Sequence, residues 1–408
     1  MKILKIAPQP FFTPRGTPLS VYYRTLVTAE MGIEVDLLTY GEGEDVEIPG
    51  VRIIRIPRFK FLGSVKTGPS VLKLFLDVFI FFWTVGLLLK HRYKVVHAHE
   101  EAAFICLLLK PLFKFKWIYD MHSSLPEQLI NFNFTKSKLL IKLFSVLENA
   151  CLRSAEATIV ICPSLYNYAR KIIGNKNLVL IENSIFDPIK MKGNTSLESP
   201  LSFTDKPIVV YAGTLEHYQG IDLVIKAFSL ILQQQPNLFL LIVGGTPQQI
   251  KTHAILAEKL GISSQCAFTG RVSPDLARKY VSQASVQISS RVSGQNTPLK
   301  VYQQLANGIP IVATNIYSHT QVLDEDVAFL VNPRPESIAS GILAAFDLNG
   351  EAKLKVVRAK ELYEQKYCRR IYQKKLRRVF EKLNLLEEVL LMPPKSSLNQ
   401  DRAEIPLS

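Results

Sequence analysis

Three short segments hold the residues best suited to chemistry. The first is Arg15-Gly16-Thr17, in a proline-rich loop between an apolar stretch and a helical one. A glycine there lets backbone amides approach a phosphate or a sugar closely, and Arg15 adds a cation. The second is His122, directly after Trp117 to Met121 (WIYDM), with His97 and His99 closing the neighbouring stretch YKVVHAH. A neutral imidazole both donates and accepts a hydrogen bond, so it can meet a hydroxyl or stabilise charge. Alternation turns His97 toward the sheet interior, as a packing or hydrogen-bonding residue. The third segment is Asn296-Thr297-Pro298-Leu299-Lys300, which opens a helix. Amides of a first helical turn receive a phosphate, and proline suits that turn. Lys300 adds charge, and Arg271 and Arg291 are further cations nearby in sequence.

These segments must be positioned by regular elements. Short apolar runs predict strands over Lys2–Ala7, Glu34–Thr39, Val51–Ile56, Tyr93–Ala98, Trp117–Met121, Thr158–Cys162 and Leu178–Glu182. Helical spacing is clearest over Leu19–Met31 and Lys136–Arg153. After a Pro-, Gly-, Asn- and Ser-rich break the alternation resumes. Strands are predicted at Ile208–Tyr211, Leu238–Val243, Cys266–Thr269, Val286–Ser289, Ile311–Thr314 and Ala328–Val331. Helices are predicted between them at Leu223–Gln234, Gln248–Leu260, Asp275–Ala284 and Thr297–Ala306. Apolar strands separated by helices indicate parallel sheets covered on both faces. The expected class is therefore α/β, two doubly wound domains in tandem. The expected division is 1–187, a linker at 188–205, a second domain at 206–365, a helix near 366–385, and a disordered tail at 391–408. Ligands of such sheets sit outside the carboxyl ends of the strands, here in a cleft between the domains.

Composition bounds the function. The 408 residues exceed one compact core, and 48% hydrophobic with 21% charged residues is a globular balance. The five cysteines are scattered without metal spacing, which points to reduced thiols in a cytosolic compartment. The net charge of +14 has no nucleic-acid motif beside it; an anionic membrane surface or a phosphorylated substrate fits it, and so does a generally basic, solvated surface. The N-terminal apolar stretch is short and runs into Pro8 and Pro10, unlike a signal peptide. Val71 to Leu89 is apolar over about one membrane span but contains Lys73 and Asp77. A central charge costs about 2.5–3.5 kcal/mol in a bilayer, so a buried or interfacial helix is expected rather than a spanning one.

Five segments in order resemble the retaining GT-B glycosyltransferases of the family-4 kind: PQPFFTPRGTPLSV, then YKVVHAHEEA and WIYDMHSSLPE, then YAGTLEHYQGIDLVIKAF with FTGRVS, and GQNTPLKVYQQLANGIPIVATN. The resemblance spans about residues 1–385. It implies two Rossmann-like halves facing across a cleft and transfer of a hexosyl group from a nucleotide-diphosphate sugar to a glycan or lipid-linked acceptor. It implies work in polysaccharide or glycolipid biosynthesis, in the cytoplasm or peripherally on the inner face of the membrane, with no tightly bound metal and no other cofactor. It makes His122 the histidine that contacts the transferred sugar. Gly16 and Arg15 fall on the donor side, and His99 and Glu100 on the acceptor side. The C-terminal helix is expected to pack back on the first domain, or to dock with the apolar helix on a membrane.

The second half departs from the family pattern. The turn that normally carries an Arg and a Lys is Gly213-Thr214-Leu215-Glu216-His217-Tyr218-Gln219-Gly220, with Thr214 and Gln219 at the cationic positions. The family's paired glutamates, eight residues apart, are replaced by Gln295 and Gln303. Amides still hydrogen-bond hydroxyls, so the resemblance implies that Lys300, Arg291 or Arg271 supplies the missing charge. Asn296, Thr297, Pro298 and Leu299 would complete the donor site. The alternative is a catalytically silent GT-B protein that binds a sugar or a partner enzyme.

Overall fold

The computed structural model describes residues 1–13, 16–59, 63, 65, 70–131, 137–183, 205–347 and 350–383. Arg15, most of the expected linker and the expected tail lie outside these residues.

The first half contains β1 (Lys2–Ala7), α1 (Gly16–Glu30), β2 (Glu34–Thr39), β3 (Val51–Arg55), α2 (Val71–Lys90), β4 (Val95–His99) and α3 (Ala102–Phe113). It continues with β5 (Lys116–Met121), α4 (Leu125–Asn131), α5 (Lys138–Ser154), β6 (Ala157–Val160), α6 (Pro163–Ile173) and β7 (Leu178–Leu180). The second half runs β8 (Ile208–Ala212), α7 (Ile221–Leu232), β9 (Phe239–Val243), α8 (Pro247–Lys259), β10 (Cys266–Gly270), α9 (Pro274–Ser282) and β11 (Val286–Ser289). It ends with α10 (Leu299–Asn307), β12 (Ile311–Thr314), α11 (Tyr317–Thr320), β13 (Phe329–Val331), α12 (Pro335–Ala345), α13 (Glu351–Lys366) and α14 (Arg369–Lys382).

Two parallel sheets result, in the orders β3-β2-β1-β4-β5-β6-β7 and β10-β9-β8-β11-β12-β13. The strands are apolar because both faces of each sheet are covered. On one face of the first sheet, Tyr22, Tyr23 and Val27 of α1 pack with Tyr372, Leu376 and Phe380 of α14. On the other face, α2, α3, α5 and α6 contribute Ile80, Cys106, Leu152 and Leu165. Strand order reverses between β1 and β4 and between β8 and β11. The crevices at those reversals are where a ligand belongs, and the segments singled out above all follow these strands or their neighbours.

Several expected elements are corrected. The helix expected near 366–385 is α14, and a separate helix, α13, precedes it, with a break at Tyr367-Cys368. The break is needed because α13 packs on α10 in the second half while α14 crosses to the first sheet. There Lys116 Nζ donates to the Leu383 carbonyl at 2.6 Å, and Arg369 and Lys375 pair with Glu30 and Glu182. Helix α10 starts at Leu299, not Thr297, because Pro298 has extended backbone (ψ 137°) and caps the helix from outside its first turn. Helices α3 and α6 escaped sequence reading, α3 because residues 102–113 are apolar almost throughout and show no periodic stripe.

Candidate active site

The carboxyl ends of β1, β4 and β5 carry an ionic cluster. Asp120, near the end of β5, is buried with a side-chain exposure of 1%. Its Oδ1 lies 3.1 Å from Arg24 Nη1 and 3.2 Å from His122 Nε2, and its Oδ2 lies 3.0 Å from His97 Nε2. Arg24 comes from α1 and is held further by the Ile181 carbonyl and Asn183 Oδ1, each at 3.3 Å. The cluster follows from sheet register: His97 stands opposite Lys5 on β1, and His99 opposite Asp120 on β5. Burial opposes the charge on Asp120, but Arg24 and His122 override it and hold the carboxyl well below its usual range. Burial drives Lys5 down to about 7 and His97 down to about 4. His122 is also lowered, chiefly by burial.

A carboxylate can only accept, so His122 must present Nε2–H to Asp120. The neutral ring then keeps Nδ1 as an acceptor, suited to a hydroxyl that donates. His99 packs against this ring at 4.3 Å between centroids and is almost fully buried, so it supports His122 more than it lines an open surface. Glu100, the next residue, accepts from Ser123 Oγ at 3.0 Å. Burial and neighbouring Glu101 push its carboxyl up to about 7. It adopts a left-handed φ of 47° at the mouth of the sheet. Gly16, with φ 44°, opens α1, and a Cβ there would meet no neighbour, so the space around it is open.

The second domain answers with cations. Lys300 Nζ lies 3.9 Å from the centre of the Tyr211 ring and is buried without a hydrogen-bond partner. Burial, and Arg291 beside it, lower its pKa well below that of a free lysine. Arg291 lies over the Tyr218 ring at 5.0 Å and donates to the Asn296 carbonyl at 2.8 Å. Two basic side chains so placed, with no carboxylate partner among the described residues, are suited to receive an anion at the start of α10. Tyr211 links it to the exposed Gly213-Thr214 turn by donating to the Thr214 carbonyl at 2.7 Å.

The halves meet here. Asn296 Nδ2 donates to the His122 carbonyl at 2.9 Å, and Cys162 Sγ lies 3.4 Å from Asn296 Oδ1. The Ser164 amide donates to Gln321 across the same seam at 3.0 Å, and Gln321 in turn holds the Gln295 carbonyl. His122 and Lys300 thus belong to the two halves that the Asn296 contact joins.

Other expected residues are less central. The Gln295 side chain is exposed, and Gln303 is half-buried on α10. Gln219 is buried in a short turn, and its own carbonyl accepts from Ser290 Oγ at 2.7 Å. Arg271 is exposed beyond β10 and makes no ion pair among the described residues. Sequence reading missed Asp120, Arg24 and Lys5. The signal available was a charge in each of two otherwise buried strands.

Gly220 shapes the turn that precedes α7. Its φ is 66°, and a Cβ would collide with the Ser290 carbonyl oxygen and crowd the Val292 side chain. Gly220→Ala is expected to cost about 1–3 kcal/mol of stability, measured by denaturant unfolding, and to weaken nucleotide binding by shifting this turn.

Two family models match: "Glycosyl transferases group 1" over residues 194–361 and "Glycosyl transferase 4-like domain" over residues 24–183. An uncharacterized glycosyltransferase of Methanocaldococcus jannaschii is 23% identical over 330 residues, 76% of this chain and 80% of that protein. Among solved structures, sucrose-phosphate synthase from Thermosynechococcus elongatus superposes with a TM-score of 0.71 at 20% identity, over 94% of this chain and 99% of that one. Anabaena HepE in complex with UDP-glucose gives 0.67 at 14% identity, over 94% and 99%. The two parallel sheets and both matched halves lead to one conclusion: the chain belongs to the group 1 glycosyltransferases of the family-4 type, enzymes built on the two-Rossmann GT-B fold.

Proposed function

We propose that the chain transfers a hexosyl group, with retention, from a nucleotide-diphosphate sugar to a glycan or lipid-linked acceptor. The observation that carries this reading is the buried, unpartnered Lys300 ammonium beside Arg291, at the helix start that faces His122. The departing diphosphate gains negative charge as the glycosidic bond breaks. Cations and helix amides already in place stabilise it without reorganising. With Arg291 and Lys300 to meet that charge, the reaction proceeds without a tightly bound metal. The neutral Nδ1 of His122 accepts from a sugar hydroxyl and fixes the ring near the bond that breaks. HepE, crystallised with UDP-glucose, supports a nucleotide-sugar donor. Such an enzyme would act in glycolipid or polysaccharide synthesis, at the cytoplasmic face of a membrane.

The test is turnover of a panel of UDP- and GDP-sugars by purified protein, with and without acceptors. Slow donor hydrolysis is expected even without acceptor. No hydrolysis or transfer from any donor would instead mark a silent sugar- or partner-binding protein. His122→Ala is expected to lower kcat by about 100-fold while UDP affinity, read by calorimetry, stays within a few-fold.

A further inference from the structure

We infer that the outer face of α2, α3 and α5 docks the enzyme on an anionic lipid bilayer, beside the acceptor side of the cleft. Helix α2 is 20 residues long, and only 22% of its apolar window is buried, so it is not an ordinary core helix. Its inner stripe, Leu76, Ile80, Thr84 and Leu88, packs on the first sheet. Its outer stripe, Val71, Leu74, Phe75, Val78, Phe82 and Leu89, faces solvent at helical spacing, with Phe82 62% exposed. That spacing is an amphipathic pattern whose polar side is replaced by large apolar residues.

The band extends sideways. Helix α3 packs between α2 and α5, with Phe104 against Phe144 at 5.8 Å. It exposes Leu108 and Leu112, and α5 exposes Leu139, Leu143 and Val146. Exposed apolar surface of this extent marks an interaction site.

Charge selects the occupant. Lys90, Arg92, Lys114, Lys138 and Lys142 are exposed on or just beyond these three helices. Apolar side chains rimmed by lysine and arginine match the acyl boundary and headgroups of an anionic leaflet. A second copy of the chain joined face to face would bring the same cations together. The helix lies along the surface and does not cross it. Asp77 turns inward, where the Tyr40 hydroxyl donates to it at 2.6 Å, and the inner stripe stays in the core.

Position gives the surface its purpose. Tyr40 follows β2, and the carboxylates of Asp77, Glu100 and Glu101 are close enough to act on it electrostatically. The inner side of α2 therefore borders the mouth of the first sheet, so a bilayer on its outer side would hold a lipid-linked acceptor within reach of Glu100. The inference extends the lipid-linked-acceptor reading above, but its test needs no turnover.

The full-length protein is mixed with phosphatidylcholine vesicles, with and without phosphatidylglycerol, in the absence of nucleotide sugar. Co-sedimentation with the anionic vesicles is expected, weakening as salt rises. Trp83 is partly exposed on α2 and Trp117 is buried, so brominated lipid should quench Trp83 and leave Trp117 unaffected. Val78→Ser with Phe82→Ser is expected to weaken vesicle binding by about tenfold or more, with UDP affinity and melting temperature unchanged. Absence of binding to anionic vesicles would overturn the inference. So would sedimentation showing a dimer that the same double substitution dissolves. Donor hydrolysis measured on the same preparation separates this failure from failure of the catalytic reading.

Discussion

Lys300→Met is expected to weaken UDP binding by about 10- to 150-fold, the equivalent of about 1.5–3 kcal/mol for a lost charge-assisted hydrogen bond. The protein should be no less stable. In the free protein the Lys300 amino group sits buried over the Tyr211 ring, next to Arg291 and without a hydrogen-bond partner, and burial disfavours its charged form. Keeping it there costs folding energy, and methionine keeps the length and the contact with the aromatic ring while removing the charge. A melting temperature equal to or above wild type, together with lost affinity, would show that Lys300 is maintained for a ligand. Equal calorimetric affinities would reject that role. Arg271→Ala, at an exposed position, should change affinity little.

Protonation gives a second readout. Burial and Arg291 depress the lysine in the free state, and a bound diphosphate raises it again. Binding therefore takes up a proton over the interval between the two values, and wild-type affinity falls as pH rises through it. The measurement belongs above pH 7, clear of the phosphate ionisation near 6. The observed enthalpy should vary with buffer ionisation in wild type, and this dependence should vanish in Lys300→Met.

Much of this was legible in the sequence. Strand periodicity placed nearly every β element, because both faces of each sheet are covered and each strand is a short apolar run. His122, Lys300 and Asn296 were singled out from strand ends and a helix start, and the fold brings Asn296 against His122. The contact of Asn296 with the His122 carbonyl spans 174 residues, and nothing local encodes it. The charges in two buried strands were visible, but not their joining: Lys5, Arg24, His97 and Asp120 are single groups in separate elements, brought together only by strand register and by α1 packing across them. The direction of α2 was also hidden, since an apolar helix reads alike whether its outer face is covered or bare.

Asp120→Asn should be the most damaging single substitution in the first domain. Asparagine matches aspartate in size, so no cavity forms, but Arg24 is left as a buried cation without its counter-charge. Breaking one side of a buried pair costs about 3–5 kcal/mol. Replacing both partners, as Arg24→Met with Asp120→Leu, should cost less than the sum of the single changes, because no stranded charge remains. The pH dependence has a definite sign. Asp120 is held well below 3.8, so its contribution is complete above the unfolded value and is lost as pH falls through the folded one. The stability gap between wild type and Asp120→Asn should therefore be constant at neutral pH and narrow only in acid. His97 acts in another window. It stays neutral in the fold down to about 4, so unfolding takes up a proton between 6.5 and 4, and wild-type stability declines there. Asp120 also fixes the ring of His122. Asparagine can still accept from Nε2–H but does not stabilise an imidazolium, so the pH profile of kcat should shift as kcat drops by at least about tenfold. A purely structural role would lower stability and leave that profile in place.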